Sequence, residues 1–190
     1  MRTLLPVLLM CTSCASFADY APGGGDLYEQ VNLNLGQRIF HHASANCLDE
    51  QDSAALEYSV WREDGLIGYD IGLGYHRDHG VLPVVGSTNV EGFEGYLGLR
   101  RTLPIEGSPI TPYVGLGLTG WWADRDETIK SDRDGTEIGL GVYERIGASV
   151  MISERAFVGL DLRFVQEEFL HNGDLNMDGH VLALVLGVSL

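Results

Sequence analysis

The side chains best suited to acid–base work or metal ligation near neutral pH are six histidines, His41, His42, His76, His79, His171 and His180. His41 and His42 are adjacent, and His76 and His79 are three apart. In an extended strand both spacings send the partners to opposite faces, so neither pair converges on a metal unless the chain turns between them. No Gly-x-Ser-x-Gly turn, phosphate-binding glycine loop or paired-cysteine zinc pattern occurs. Asp174-Leu175-Asn176-Met177-Asp178-Gly179 matches the first six positions of a calcium loop, with oxygen-bearing side chains at alternate places and Gly at the turn. The twelfth position falls on Val185, so the bidentate Glu is missing. Asp174, Asn176 and Asp178 are thus a weak calcium candidate and read as a polar loop closing a hairpin. Neither a cofactor nor a catalytic residue is expected.

A different set of charged residues is more informative. Arg38, Arg100, Arg145 and Arg163, with Glu57, Asp70, Glu94 and Asp161, all fall inside segments where apolar and small-or-polar residues alternate with period two. That period places successive side chains on opposite faces of a β-strand. Eight such segments follow one another from Leu27 onward. The first sets Val31, Leu33, Leu35 and Ile39 against Gln30, Asn32, Asn34, Gly36 and Arg38; the last sets Leu182, Leu184, Leu186, Val188 and Leu190 against Ala183, Val185, Gly187 and Ser189. The sixth carries one exception, Glu144 on the apolar face, which implies either a membrane boundary or a bulge that shifts the register there.

The eight charges share the polar, glycine-rich face, four of each sign, although the whole chain has 12 basic against 27 acidic residues and a net charge of −15. A face open to water would share the acid excess. Balanced charges on a face of small residues indicate paired groups in a narrow interior, where an unpaired charge is costly. The apolar Leu, Val and Ile face, with Tyr69, Tyr75 and Trp122 near segment ends, then looks at lipid. The alternative is a soluble lipocalin-like binding barrel, which would hide the apolar face and show the polar one. The acidic balance argues against nucleic acid as a partner, because phosphate contacts need clustered Lys and Arg. The longest apolar runs, Leu4–Cys11 and Val181–Val188, are eight residues, too short for a membrane-spanning helix, which needs about 20.

The first residues form a secretory leader in outline. Arg2 supplies the positive start, Leu4–Met10 the apolar stretch, and Ser16-Phe17-Ala18 the small residues before a cut at Asp19. Residues 1–18 are expected to be a signal peptide and 19–190 one β-barrel domain. Cleavage leaves Cys47 as the single cysteine, so no internal disulfide is expected. The connections between segments alternate in length. Glu63–Gly65, Pro104–Ile110 and Ser153–Arg155 are short, whereas His41–Ser53, Arg77–Asn89, Asp124–Gly135 and Phe169–Gly179 run to eleven to thirteen residues. Outer-membrane barrels have short periplasmic turns, longer external loops and an even strand number, which puts both termini on the periplasmic side.

With these features the chain resembles the small eight-stranded outer-membrane β-barrel proteins of Gram-negative bacteria, typified by the transmembrane domain of outer-membrane protein A. Pro112-Tyr113-Val114-Gly115-Leu116-Gly117 looks like the family's Pro-Tyr-x-Gly-x-Gly strand. Phe157–Phe164 looks like its penultimate strand, and Asp178-Gly179-His180 leading into Val181–Leu190 like its closing strand. The chain ends in Leu190 where the family usually ends in an aromatic residue. The resemblance implies an eight-stranded antiparallel up-and-down transmembrane barrel in the outer membrane. Its implied partners are outer-membrane lipid, lipopolysaccharide and, through the last strand, the assembly machinery. It names no ligand for the external loops. The enzymatic alternative is the lipid A deacylase group of eight-stranded barrels, in which a Ser lies two residues from a His near the chain's end. Here His171 is followed at that spacing by Gly173, and Ser189 lies at the opposite end of its strand. The expected reading is therefore a structural or interaction barrel with a filled lumen.

The alternation of connections fixes an orientation that can be checked on intact cells. An impermeant thiol reagent is expected to label Cys47 and to leave a cysteine introduced by Ser153→Cys, in a Cys47→Ser background, unlabelled. Equal labelling of the two would overturn the orientation.

Overall fold

The structure is a computed structural model and describes residues 27–40, 50–62, 67–82, 86–127, 135–172 and 178–190. Eight strands follow in order: β1 Leu27–Phe40, β2 Glu50–Arg62, β3 Gly68–Leu82, β4 Gly86–Thr102, β5 Ile110–Glu127, β6 Gly135–Met151, β7 Ala156–Asn172 and β8 Gly179–Ser189. Each pairs antiparallel with its neighbour in sequence, and β8 returns to β1, so the sheet closes into an up-and-down barrel. Among the described residues no helix is long and apolar enough to cross a membrane. Closure leaves no free sheet edge, so every strand's backbone groups are paired around the wall.

The register fixes the barrel's shape. Stepping from partner to partner, Gln30 leads to Ser59, Asp70, Gly98, Gly117, Tyr143, Val165 and Gly179, then back to β1 at Phe40, ten residues further along. Eight strands with that stagger tilt by about 40° and enclose an interior just wide enough for side chains. The end with connections 63–67, 103–109 and 152–155 is the turn end, and β1 begins and β8 finishes there; the opposite end is the loop end. Two turns are held by serine hydroxyls. Ser108 Oγ accepts from Ile110 N at 3.1 Å, next to Gly107 at φ 76°, and Ser153 Oγ accepts from Ala156 N at 3.0 Å.

Sequence periodicity and structure part company at the loop end. The stretch Arg77–Asn89, read as a long loop, is mostly strand: β3 runs to Leu82 and pairs back through Leu82↔Gly86. Likewise β2 starts at Glu50, β5 reaches Glu127 and β7 reaches Asn172. A hairpin that extends past the apolar wall needs no apolar face, so these extensions lack the apolar alternation that marks a strand in sequence. The leader, Cys47, Gly173, Asp174 and Asn176 lie outside the described residues.

The two faces differ sharply. Leu73, Leu97, Leu116, Leu118 and Leu160 are 44–61% exposed on the outer wall, while Asn32, Arg38, Glu57, Ser59, Asp70 and Glu94 are at most 1% exposed inside. An aromatic row, Tyr75, Phe93 and Trp122, crosses the outer wall towards the loop end with ring centroids 5.3 and 5.8 Å apart. Glu144 points outward from the middle of β6. The register shift lies elsewhere, between Leu140 and Gly141, where Glu168 and Phe169 of β7 are skipped. The pairing is regular at Glu144 itself, so this bulge does not account for its outward position.

Interior glycines make room for large side chains. A Cβ at Gly98 would strike the Tyr143 hydroxyl and the Leu116 carbonyl, whereas one at Gly95, on the outer wall, meets only Leu73 Cδ2 at 3.6 Å. Gly98→Val is expected to lower barrel stability in detergent micelles by about 1–3 kcal/mol or more, as overpacking does. Gly95→Val should leave the urea midpoint within about 0.5 kcal/mol of wild type. Equal midpoints would show that the interior is not packed at Gly98.

Candidate functional site: the charged lumen

Strand parity delivers all eight charged residues singled out from sequence to the lumen. Arg38 comes from β1, Glu57 from β2, Asp70 from β3, Glu94 and Arg100 from β4, Arg145 from β6, and Asp161 and Arg163 from β7. Each is buried. They gather into two groups stacked along the barrel axis.

The group nearer the turn end is built on Arg145. Its Nη1 donates to Glu57 Oε2 at 2.6 Å and to Asp70 Oδ2 at 3.1 Å, and its Nε donates to Asp161 Oδ1 at 3.0 Å. Asp161 Oδ1 also accepts from the Tyr113 hydroxyl at 2.8 Å. Arg100 approaches Glu57 and Asp70 at 3.8 and 4.0 Å, and its guanidinium lies 3.8 Å over the Tyr113 ring, which suits a delocalised cation. Asn32 Nδ2 and Ser59 Oγ both donate to Glu57 Oε1, at 2.9 and 3.2 Å.

The second group is centred on Glu94. Its Oε2 receives Arg163 Nη2 at 3.1 Å and Arg38 Nη1 at 3.4 Å, and lies 2.7 Å from His76 Nε2. Oε1 accepts from Thr119 Oγ1 at 2.6 Å. Tyr96 joins the two groups: its hydroxyl donates to Glu57 Oε2 at 2.9 Å while Arg163 stacks 4.3 Å over its ring. Counted by Arg and carboxylate alone, the turn-end group has two cations and three anions, and the Glu94 group two cations and one anion. The four charges of each sign in these groups therefore balance across the two together and not within either.

Sequence reasoning picked out the charges but not the residues that complete their shells. Asn32, Ser59, His76, Tyr96, Tyr113 and Thr119 were all inward by the same parity, and that was the available signal. His76 serves as a partner of Glu94. Glu137 also faces inward and is buried. Among the described residues no group of three or more His, Cys, Asp or Glu is placed to hold a metal ion. Asp178 is half-buried just ahead of β8, and its two companions in the calcium-loop pattern lie outside the described residues.

A closed eight-stranded antiparallel barrel with an apolar outer wall and a filled polar lumen is the fold of the small outer-membrane β-barrel proteins. Solved structures of that class align along nearly their whole length. The outer membrane protein OprG of Pseudomonas aeruginosa has a TM-score of 0.61 at 15% identity, covering 88% of this chain and 98% of its own. Neisserial surface protein A has a TM-score of 0.57 at 14% identity, covering 88% and 99%. Outer Membrane Protein W of E. coli has 0.50 at 14% identity, covering 90% and 100%. Identities this low show the fold alone. No protein-family model and no curated protein matches the sequence.

The network yields a stability contrast. Arg145→Ala leaves Glu57, Asp70 and Asp161 without their shared cation and is expected to cost about 3–5 kcal/mol, as breaking a buried pair does. Arg77→Ala removes an ion pair to Glu91 whose side chains are 47% and 40% exposed. That change should cost about 0–1 kcal/mol. Urea unfolding of the detergent-refolded barrel measures both, and equal midpoints would contradict a desolvated network.

Proposed function

We propose that this chain is exported to the outer membrane and serves there as a structural or interaction barrel, displaying its loop-end hairpins outside the cell. The observation that carries the reading is the lumen. Tyr96, Tyr113, Tyr143 and four paired Arg side chains occupy the bore, so the barrel provides a rigid mount and not a diffusion path. Specificity then resides in the hairpins that rise beyond the aromatic row. The implied partners are outer-membrane lipid and lipopolysaccharide around the wall. The assembly machinery is the partner implied for β8, which ends at Leu190 without a closing aromatic.

The absence of a hydroxyl at Gly173 weighs against the deacylase alternative. Two measurements on protein reconstituted with lipopolysaccharide test the reading. Planar bilayers should show no stable ohmic step, and lipid A should keep its acyl chains. A reproducible conductance would make the protein a channel. Release of a hydroxy fatty acid that is lost on His171→Ala would make it an enzyme.

A further inference from the structure

Glu144 sits on the outer wall among lipid-facing side chains. It pairs across the ladder with Leu116 on one side and Phe164 on the other. Along β6 it has Val142, Leu140 and Ile138 towards the loop end and Ile146, Ala148 and Val150 towards the turn end, all pointing outward. Two residues along a tilted strand rise by about 5 Å, so roughly 15 Å of apolar wall separates the carboxyl from either end of this run. A glutamate reaches about 5 Å, and snorkelling to a headgroup is out of range. The other charges on this wall lie at strand ends, as Glu29, Arg62 and Arg101 do, or beyond the aromatic row, as Arg77, Glu91 and Asp124 do.

Charged or neutral, a carboxyl in hydrocarbon needs a hydrogen-bonding partner. Among the described residues none hydrogen-bonds to it, and the nearest polar side chain on this face is Gln166, which pairs with Val142 one step along the β6–β7 ladder. Copies of one chain inserted by one route share a single orientation, so a given residue lies at the same depth in each. A second copy is therefore a partner certain to offer a polar group at this level, namely its own Glu144. A two-fold axis along the membrane normal brings like to like, and two carboxyls facing each other can share a proton and bond reciprocally.

We propose that the β5–β7 wall is the contact surface of a homodimer in the membrane, with the two Glu144 carboxyls meeting at the two-fold axis. With the Gln166 amide on the loop-end side, Leu116, Leu118, Ile146, Leu162 and Phe164 surround the pair and pack against their counterparts. Lipid chains are as apolar as these residues, so the polar pair decides which walls meet. This inference rests on the transmembrane reading and goes beyond it.

The test uses the mature barrel in phospholipid vesicles, in a Cys47→Ser background, with single cysteines at Ile146 beside the axis or Leu184 on the distant β8 wall. Ile146→Cys should form a disulfide-linked dimer on mild oxidation and Leu184→Cys should not. Adding Glu144→Leu should raise the dimer dissociation constant about tenfold, read as subunit exchange by fluorescence transfer over a range of protein-to-lipid ratios. Glu144→Gln, whose amides can also pair reciprocally, should keep the dimer. A barrel that inserts but stays monomeric, cross-links equally at both positions, or is unmoved by Glu144→Leu overturns the dimer and leaves the transmembrane reading standing. Failure to insert at all overturns both.

Discussion

Burial of four arginines in a bore closed to bulk water is the constraint on which this barrel depends. An arginine keeps its charge, so each guanidinium inside must face carboxylates or aromatic rings. Arg145 does so with three carboxylates from three other strands, and Arg163 and Arg38 share Glu94. The partners come from β2, β3, β4 and β7, so the contacts exist only when the sheet has curled into a tube. Charge pairing thus goes with the curling of the sheet. The network also explains why glycines recur on the inner face: the long side chains cross the bore, and Gly72, Gly98 and Gly147 give way to Tyr96, Tyr143 and Tyr113.

Much of this was legible in the sequence because a strand's period is two and its faces meet opposite solvents. The alternation from Leu182 to Val188, or from Val31 to Ile39, leaves little choice about which side chains enter the bore. Their pairing was not legible. Arg145 and Glu57 are 88 residues apart and meet only through the stagger of the closed sheet, which no local pattern encodes. The same limit hid the role of His76, whose partner Glu94 lies on the next strand. Strand ends were also obscure. Past the apolar wall a hairpin needs no apolar face, and Arg77–Asn89 carries no periodic signal although β3 pairs out to Leu82.

The outer wall presents the complementary lesson. A wall meant only to meet lipid would be apolar throughout its middle, and among the described residues of β5, β6 and β7 between the rims only Glu144 and Gln166 depart from that. Among the described residues Glu144 is the one charged side chain there. Position, not residue type, gives Glu144 its meaning: the same glutamate at the rim, as at Glu29, needs no explanation.

The strand that closes the barrel takes no part in the ionic lumen. The inner face of β8 offers Val181, Ala183, Val185 and Gly187, all uncharged, while the charges come from β1, β2, β3, β4, β6 and β7. The electrostatic interior can therefore be complete before the seam between β8 and β1 zips. Laying down the last strand then desolvates only small apolar side chains and trades backbone groups waiting at two edges for one another. Closure has the energetics of ordinary sheet extension, and the costly work of gathering charge falls earlier in assembly, while the tube still has a gap through which water can leave.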